Sequence, residues 1–121
     1  MPIVQVFYRY GKCTPKIVDA LKKGVRDVGV ARLSVSDRQL APKSFKFKFV
    51  QPNKHDELEA DFIVMIPLHD DPQRIAHGPG ILAGQMATAI TTNWSELPDV
   101  DLTVDVQLMF GIIGWGSATT D

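Results

Sequence analysis

The sequence predicts an α+β domain in which the order strand, helix, strand occurs twice, β-α-β-β-α-β, across residues 1–121. Three observations carry this. Short segments alternating apolar and polar residues open and close each half, as half-buried strands do. Between them lie longer stretches with apolar residues at helical spacing, each preceded by a proline that suits a first helical turn. Finally, Phe45 and Leu102, Thr14-Pro15 and Asp71-Pro72, and Val6 and Ile63 are each 57 residues apart, a weak internal repeat of pattern. The halves divide at about 1–56 and 57–121. A strand–helix–strand unit makes a right-handed parallel crossover. Two units then form a four-stranded mixed sheet with both helices on one face.

In the first half, Pro2–Arg9 reads as a strand, and Gly11-Lys12-Cys13 as a turn. Thr14 suits an N-cap with Pro15 behind it. Ile17, Leu21, Val25 and Val28 then follow one helical face to a stop expected at Gly29. Ser44–Phe49 alternates strictly, with Phe45, Phe47 and Phe49 toward the core and Lys46 and Lys48 away from it. In the second half, Asp61–Leu68 is an apolar strand and Asp70-Asp71-Pro72 a cap-like turn. A helix runs from about Pro79 to Trp94, with Leu82, Met86, Ala89 and Ile90 inward. Asp101–Leu108 alternates again. Because proline interrupts a helix interior, Pro79 makes 74–80 an additional loop before a late helix start. The sheet face carrying Lys46, Lys48, Thr103 and Asp105 is left uncovered, which with the exposed strand edges favours an oligomer.

Composition excludes several classes. The chain is 45% hydrophobic and 22% charged with a formal net charge of −1, so no global field draws it to nucleic acid or an anionic membrane. The longest apolar run, Phe62–Leu68, is far shorter than the roughly 20 residues that cross a bilayer. No secretory leader is visible at the start. Cys13 is the only cysteine, which makes a reducing cytoplasm the default. It and the three histidines, His55, His69 and His77, lack zinc-ligand spacing.

Pro2 is the residue with the widest chemical range. It can simply open a strand, where proline is tolerated. If Met1 is removed, it becomes a terminal secondary amine, and α-amino groups titrate at about 7.7–8.0 before any perturbation. Burial or a nearby cation lowers that value and yields a neutral base at pH 7. Lys12, on the first turn, and Arg74, in the loop that breaks the repeat, are candidate carboxylate binders, with Lys46 a further one. His69 and His77 are the titratable groups near that loop, and Gly78-Pro79-Gly80 offers helix N–H groups. Phe110 and Trp115, in the glycine-rich tail, suit either a hairpin seated on a neighbouring subunit or the wall of a small apolar pocket.

The amino-terminal Pro2-Ile3-Val4-Gln5-Val6 strand, the doubled β-α-β plan and the late Phe110-Gly111-Ile112-Ile113-Gly114 turn resemble the tautomerase superfamily. Asp61-Phe62-Ile63-Val64 through Leu68-His69, with an arginine shortly after, is similar to the corresponding strand of its dehalogenase branch. The resemblance implies a tautomerase-like fold with a short C-terminal hairpin, a homotrimer with pockets between subunits, and no cofactor. It implies Pro2 as catalytic base on a small 2-keto or enol acid. Lys12, Arg74 and Lys46 would bind the carboxylate, with Phe110, Trp115 and His69 around the substrate. A second branch implies hydration, dehalogenation or decarboxylation with Pro2 as acid; a third possibility is a non-enzymatic oligomer that keeps Met1. Where the small tautomerases have arginines, at the end of strand one and early in strand two, this chain has Lys12 and Lys46. Lysine keeps the charge without the bidentate fork.

Overall fold

The computed structural model describes residues 3–34, 40–69 and 78–111, with backbone alone at His69, Pro79, Phe110 and Gly111. The elements are β1 (Ile3–Tyr8), α1 (Pro15–Leu33), β2 (Lys46–Val50), β3 (Phe62–His69), α2 (Pro79–Ser95) and β4 (Val104–Gly111). A turn of 3-10 helix at Pro42–Ser44 precedes β2. The sheet order is β2-β1-β3-β4. β1 and β2 pair in parallel, as do β3 and β4, while β1 and β3 run antiparallel. This is the mixed four-stranded sheet expected of two crossovers. The expected C-terminal hairpin lies outside the described residues beyond Gly111.

Period-two alternation sets the two faces. Val4, Val6, Phe62, Val64, Ile66 and Leu68 point to the helices and are buried. Gln5, Lys46, Lys48, Asp105 and Gln107 are exposed on the opposite face. Thr103, expected beside them, instead precedes β4, and its hydroxyl bonds to Asp61. Phe45 is fully buried, whereas Phe47 and Phe49 are half-buried under α1. There Lys22 Nζ lies 5.9 Å and Arg26 Cζ 5.0 Å from the Phe47 ring centre.

The helices begin where the prolines indicated. Thr14 has the extended backbone of an N-cap (φ −105°, ψ 157°) but makes no side-chain capping bond. Its carbonyl accepts the Val18 amide at 2.9 Å. α1 does not stop at Gly29; it continues to Leu33. Gly29 is a packing residue, because a Cβ there would run into the Phe45 ring. Gly24 plays the same part between helices: a Cβ would lie 2.8 Å from Ile90 Cγ1 and 2.9 Å from the Ile90 backbone nitrogen. At the other end of this contact the Trp94 indole donates to the Ile17 carbonyl (3.1 Å) and Asn93 to that of Ala20 (3.1 Å).

The 57-residue spacing is not the structural one. Val6 is fully buried, but Ile63 is half-buried on the opposite face. An odd shift between strands necessarily exchanges faces. Buried positions match at Val4/Phe62 and Val6/Val64, 58 apart, and at Leu21/Leu82 and Val25/Met86, 61 apart. The three extra positions fall between β3 and α2, where the sequence predicts the additional loop.

These contacts separate two glycines that look alike in sequence. Gly24→Ala should cost about 1–3 kcal/mol, since backbone atoms of Ile90 cannot yield. Gly84→Ala, with nothing within 4 Å of the added methyl, should stabilise by about 0.5–1 kcal/mol through helix propensity. Urea unfolding of both variants checks this, and shifts of the same sign would contradict the helix-crossing geometry.

Candidate active site

One end of the sheet gathers several of the residues singled out above. β1 begins there with Ile3, the residue after Pro2, and Ile3 pairs directly with Lys46. β3 ends there with His69, paired with Gly111, while Leu68 pairs with Phe110. Ile3 and Met109 are exposed apolar residues at this end, 50% and 40% accessible. α2 starts after Gly78, whose φ of 82° favours glycine and whose carbonyl accepts the Leu82 amide at 3.1 Å. Pro2, Arg74, His77 and Trp115 lie outside the described residues, and for His69 and Phe110 only the strand position is defined.

Lys12 is not at this end. It follows the far end of β1, on a turn made by Gly11 (φ 80°), where its amide donates to the Arg9 carbonyl (3.2 Å). Six strand residues separate the two ends, about 20 Å at the usual rise. Within one copy of the chain the fold therefore brings Lys46, but not Lys12, to the start of β1.

The far end holds a charged network that the sequence reading missed. Arg9 Nη1 lies 3.2 Å from Asp61 Oδ1, and Arg9 Nη2 donates to the Leu58 carbonyl at 2.6 Å. Asp61 Oδ2 accepts the Thr103 amide (2.9 Å) and hydroxyl (3.2 Å). An arginine does follow strand one, then, but its guanidinium ties the ends of β1, β3 and β4 together. The signal was available: Asp61, a carboxylate directly before the apolar strand at Phe62, is the kind of buried acid that requires a partner. An open cavity of about 260 Å³ adjoins the network, lined in part by Tyr8, Arg9, Tyr10, Lys54, Asp56 and Glu57.

Burial alone would raise the Asp61 pKa. The Thr103 amide and hydroxyl, followed by the charges of Arg9 and Lys12, outweigh it and hold the carboxyl below its ordinary value. A depressed folded-state pKa contributes stability above the unfolded value, about 3.9, that is lost as pH falls through the folded value. Asp61→Asn should thus cost about 1–3 kcal/mol near pH 7. The gap from the native protein should narrow progressively below about pH 4. A gap of constant size from pH 7 to pH 2.5, measured by urea unfolding, would contradict the ionised network. At Cys13, burial raises the thiol pKa and outweighs the opposing charge of Lys22, which keeps it protonated at neutral pH. Among the described residues no group of three His, Cys, Asp or Glu side chains forms a metal site, and no helix is long and apolar enough to cross a membrane.

The sheet and helix pair form a tautomerase-like fold. The chain is similar in structure to 5-carboxymethyl-2-hydroxymuconate delta-isomerase (TM-score 0.63, 11% identity, 98% of this chain and 88% of that one). It is likewise similar to the Q0 fused 4-OT wild-type symmetric trimer (TM-score 0.56, 17% identity, 92% and 85%). A malonate semialdehyde decarboxylase also matches (TM-score 0.52, 14% identity, 98% and 92%). No protein-family model and no curated protein sequence matches the chain.

Proposed function

We propose that the chain is a tautomerase-type isomerase that moves a proton on a small 2-keto or enol acid, with Pro2, freed by removal of Met1, as the base. The supporting observation is the position of Ile3. The residue that follows Pro2 opens a central strand of this fold and pairs with the cation Lys46. A neighbouring ammonium disfavours protonation of the proline nitrogen and draws in a carboxylate. The base takes the proton α to the carbonyl, the enol or enolate forms, and the same nitrogen returns the proton elsewhere. His69 is the last residue of β3 and Arg74 follows it in sequence, while Phe110 is in the last pair of β4 and Trp115 follows it in sequence. We assign them to carboxylate binding and to walling the pocket. Lys12 of a second copy serves as a further carboxylate binder in a homotrimer, the assembly named for the fused 4-OT neighbour.

A second reading, hydration or decarboxylation with protonated Pro2 as acid, draws on the structurally similar malonate semialdehyde decarboxylase, which has decarboxylase and hydratase activities. Ketonisation of 2-hydroxymuconate or phenylpyruvate tests the first reading. Haloacrylate hydrolysis without ketonisation would favour the second, and neither activity in Met1-free protein would leave a non-enzymatic oligomer.

Lys46→Gln separates the two effects of its charge. The acidic limb of the kcat/KM profile should move upward, toward the about 7.7–8.0 of an unperturbed α-amine, and KM should rise. An unchanged limb would show that Lys46 does not act on the proline nitrogen.

A further inference from the structure

The register locates a twofold axis relating the two β-α-β units. Val6 and Val64 face each other across β1 and β3, and they are also one of the buried pairs matched at 58 residues, so the axis passes between them. It carries Ile3 onto Asp61, whose carbonyl accepts the Arg9 amide at 2.9 Å. The far end of β1 is therefore the counterpart of the end where β1 begins. The counterpart of Pro2 is Ala60, which is buried and whose nitrogen is an internal amide. This end repeats the frame of the other without an amine to act as base. It is equipped to bind, not to move a proton by that route.

The cavity of about 260 Å³ lies at this far end, between the last residues of β1 and the loop that joins β2 to β3. That loop is fixed by its own bonds. The Asn53 amide donates to Asp56 Oδ2 (2.8 Å), the His55 amide to Asn53 Oδ1 (2.9 Å) and the Asp56 amide to the Asn53 carbonyl (2.9 Å). Arg9 ties it to the sheet through the Leu58 carbonyl. Tyr8 is held as well, its ring centre 6.2 Å from that of Phe62 and 6.3 Å from that of Phe49. Groups already ordered in the free protein cost little to immobilise when a ligand binds.

Both signs of charge line this one cavity. Arg9 is matched by Asp61, but Lys54 and Glu57 make no ion pair among the described residues. Asp56 adds a second carboxylate, and Tyr10 leaves 85% of its surface exposed. A simple anion would meet two carboxylates here, and a simple amine would meet two cations, whereas a zwitterion satisfies both signs. We propose that the cavity binds a free α-amino acid with an aromatic side chain, Lys54 taking its carboxylate, Glu57 its ammonium, and Tyr10 the ring by stacking. The volume is below the roughly 300–1,000 Å³ of pockets that enclose drug-sized ligands, and suits a molecule of this size. No residue of the cavity is among those assigned to proton transfer, so the proposal is independent of the chemistry of Pro2.

The test is calorimetric titration of the full chain with L-phenylalanine, and with phenethylamine and 3-phenylpropionate, which each lack one of its charges. Exposed charge contacts are individually weak, so saturation by phenylalanine is expected in the millimolar range, one molecule per chain. Lys54→Gln and Glu57→Gln should each weaken it about three- to fivefold. The two losses should be selective: Lys54→Gln spares phenethylamine, and Glu57→Gln spares 3-phenylpropionate. Pro2→Ala should leave phenylalanine binding unchanged, whatever it does to ketonisation. Circular dichroism confirms that each variant is folded. No binding of phenylalanine at millimolar concentration overturns the proposal. So does an analogue with one charge that binds as tightly as phenylalanine, which would make this an amine or an anion site. Binding that ignores Lys54 and Glu57, or that is lost in Pro2→Ala, places the ligand elsewhere and also overturns it.

Discussion

Pro2→Ala, in protein from which Met1 has been removed, lowers kcat for ketonisation by about 10²–10⁴-fold, the range a positioned general base supplies. Alanine at the second position still leaves a terminal amine of ordinary basicity. What it removes is the pyrrolidine ring, which makes the nitrogen a secondary amine and fixes the direction of its lone pair. The loss should fall on kcat, because carboxylate binding is assigned to Lys46, Arg74 and Lys12 rather than to the base. Progress curves for Pro2→Ala and the native chain, each confirmed by mass to lack Met1, read this directly. A variant within threefold of native kcat would remove Pro2 from the chemistry.

The largest effect on stability is expected at Phe45. Its side chain is fully buried, its ring rests on Gly29 of α1, and it sits where the 3-10 turn hands over to β2. Phe45→Ala should cost about 3–5 kcal/mol, a large share of the 5–15 kcal/mol typical of a domain. Gly29→Ala errs in the other direction, pushing a methyl into the ring at a cost of about 1–3 kcal/mol. The two sites are in contact, so Gly29→Ala/Phe45→Leu should be more stable than the sum of its single changes. Urea unfolding of Phe45→Ala, Gly29→Ala, Phe45→Leu and the double variant measures this. Additivity within error, or a Phe45→Ala loss below 1 kcal/mol, would mean that the ring and the helix do not meet.

Much of the fold was legible because its signals are local. Proline at the first helical position located the starts of α1 and α2, and strict alternation located β2 and β4. The crossovers followed from chain order alone. Gly29 was misread because a glycine that ends a helix and one that admits a ring look identical in sequence; only the position of Phe45, sixteen residues on, distinguishes them. The 57-residue spacing failed for a related reason. Strand faces depend on whether a shift is odd or even, and three matched pairs did not register that Val6 and Ile63 fall on opposite faces.

The site was less legible, since it depends on where elements end. The sheet register brings Lys46 beside Ile3 and leaves Lys12 at the far end of β1, a separation invisible to spacing. Arg9 and Asp61, 52 positions apart, meet only because β1 and β3 are antiparallel neighbours.

Every step assigned to Pro2 depends on a free nitrogen. Intact-mass measurement of the protein purified from its native expression tests that most directly. A single species lighter than the full chain by one methionine residue is expected. A population that wholly retains Met1 would contradict it, since an acylated proline nitrogen has no lone pair to accept a proton.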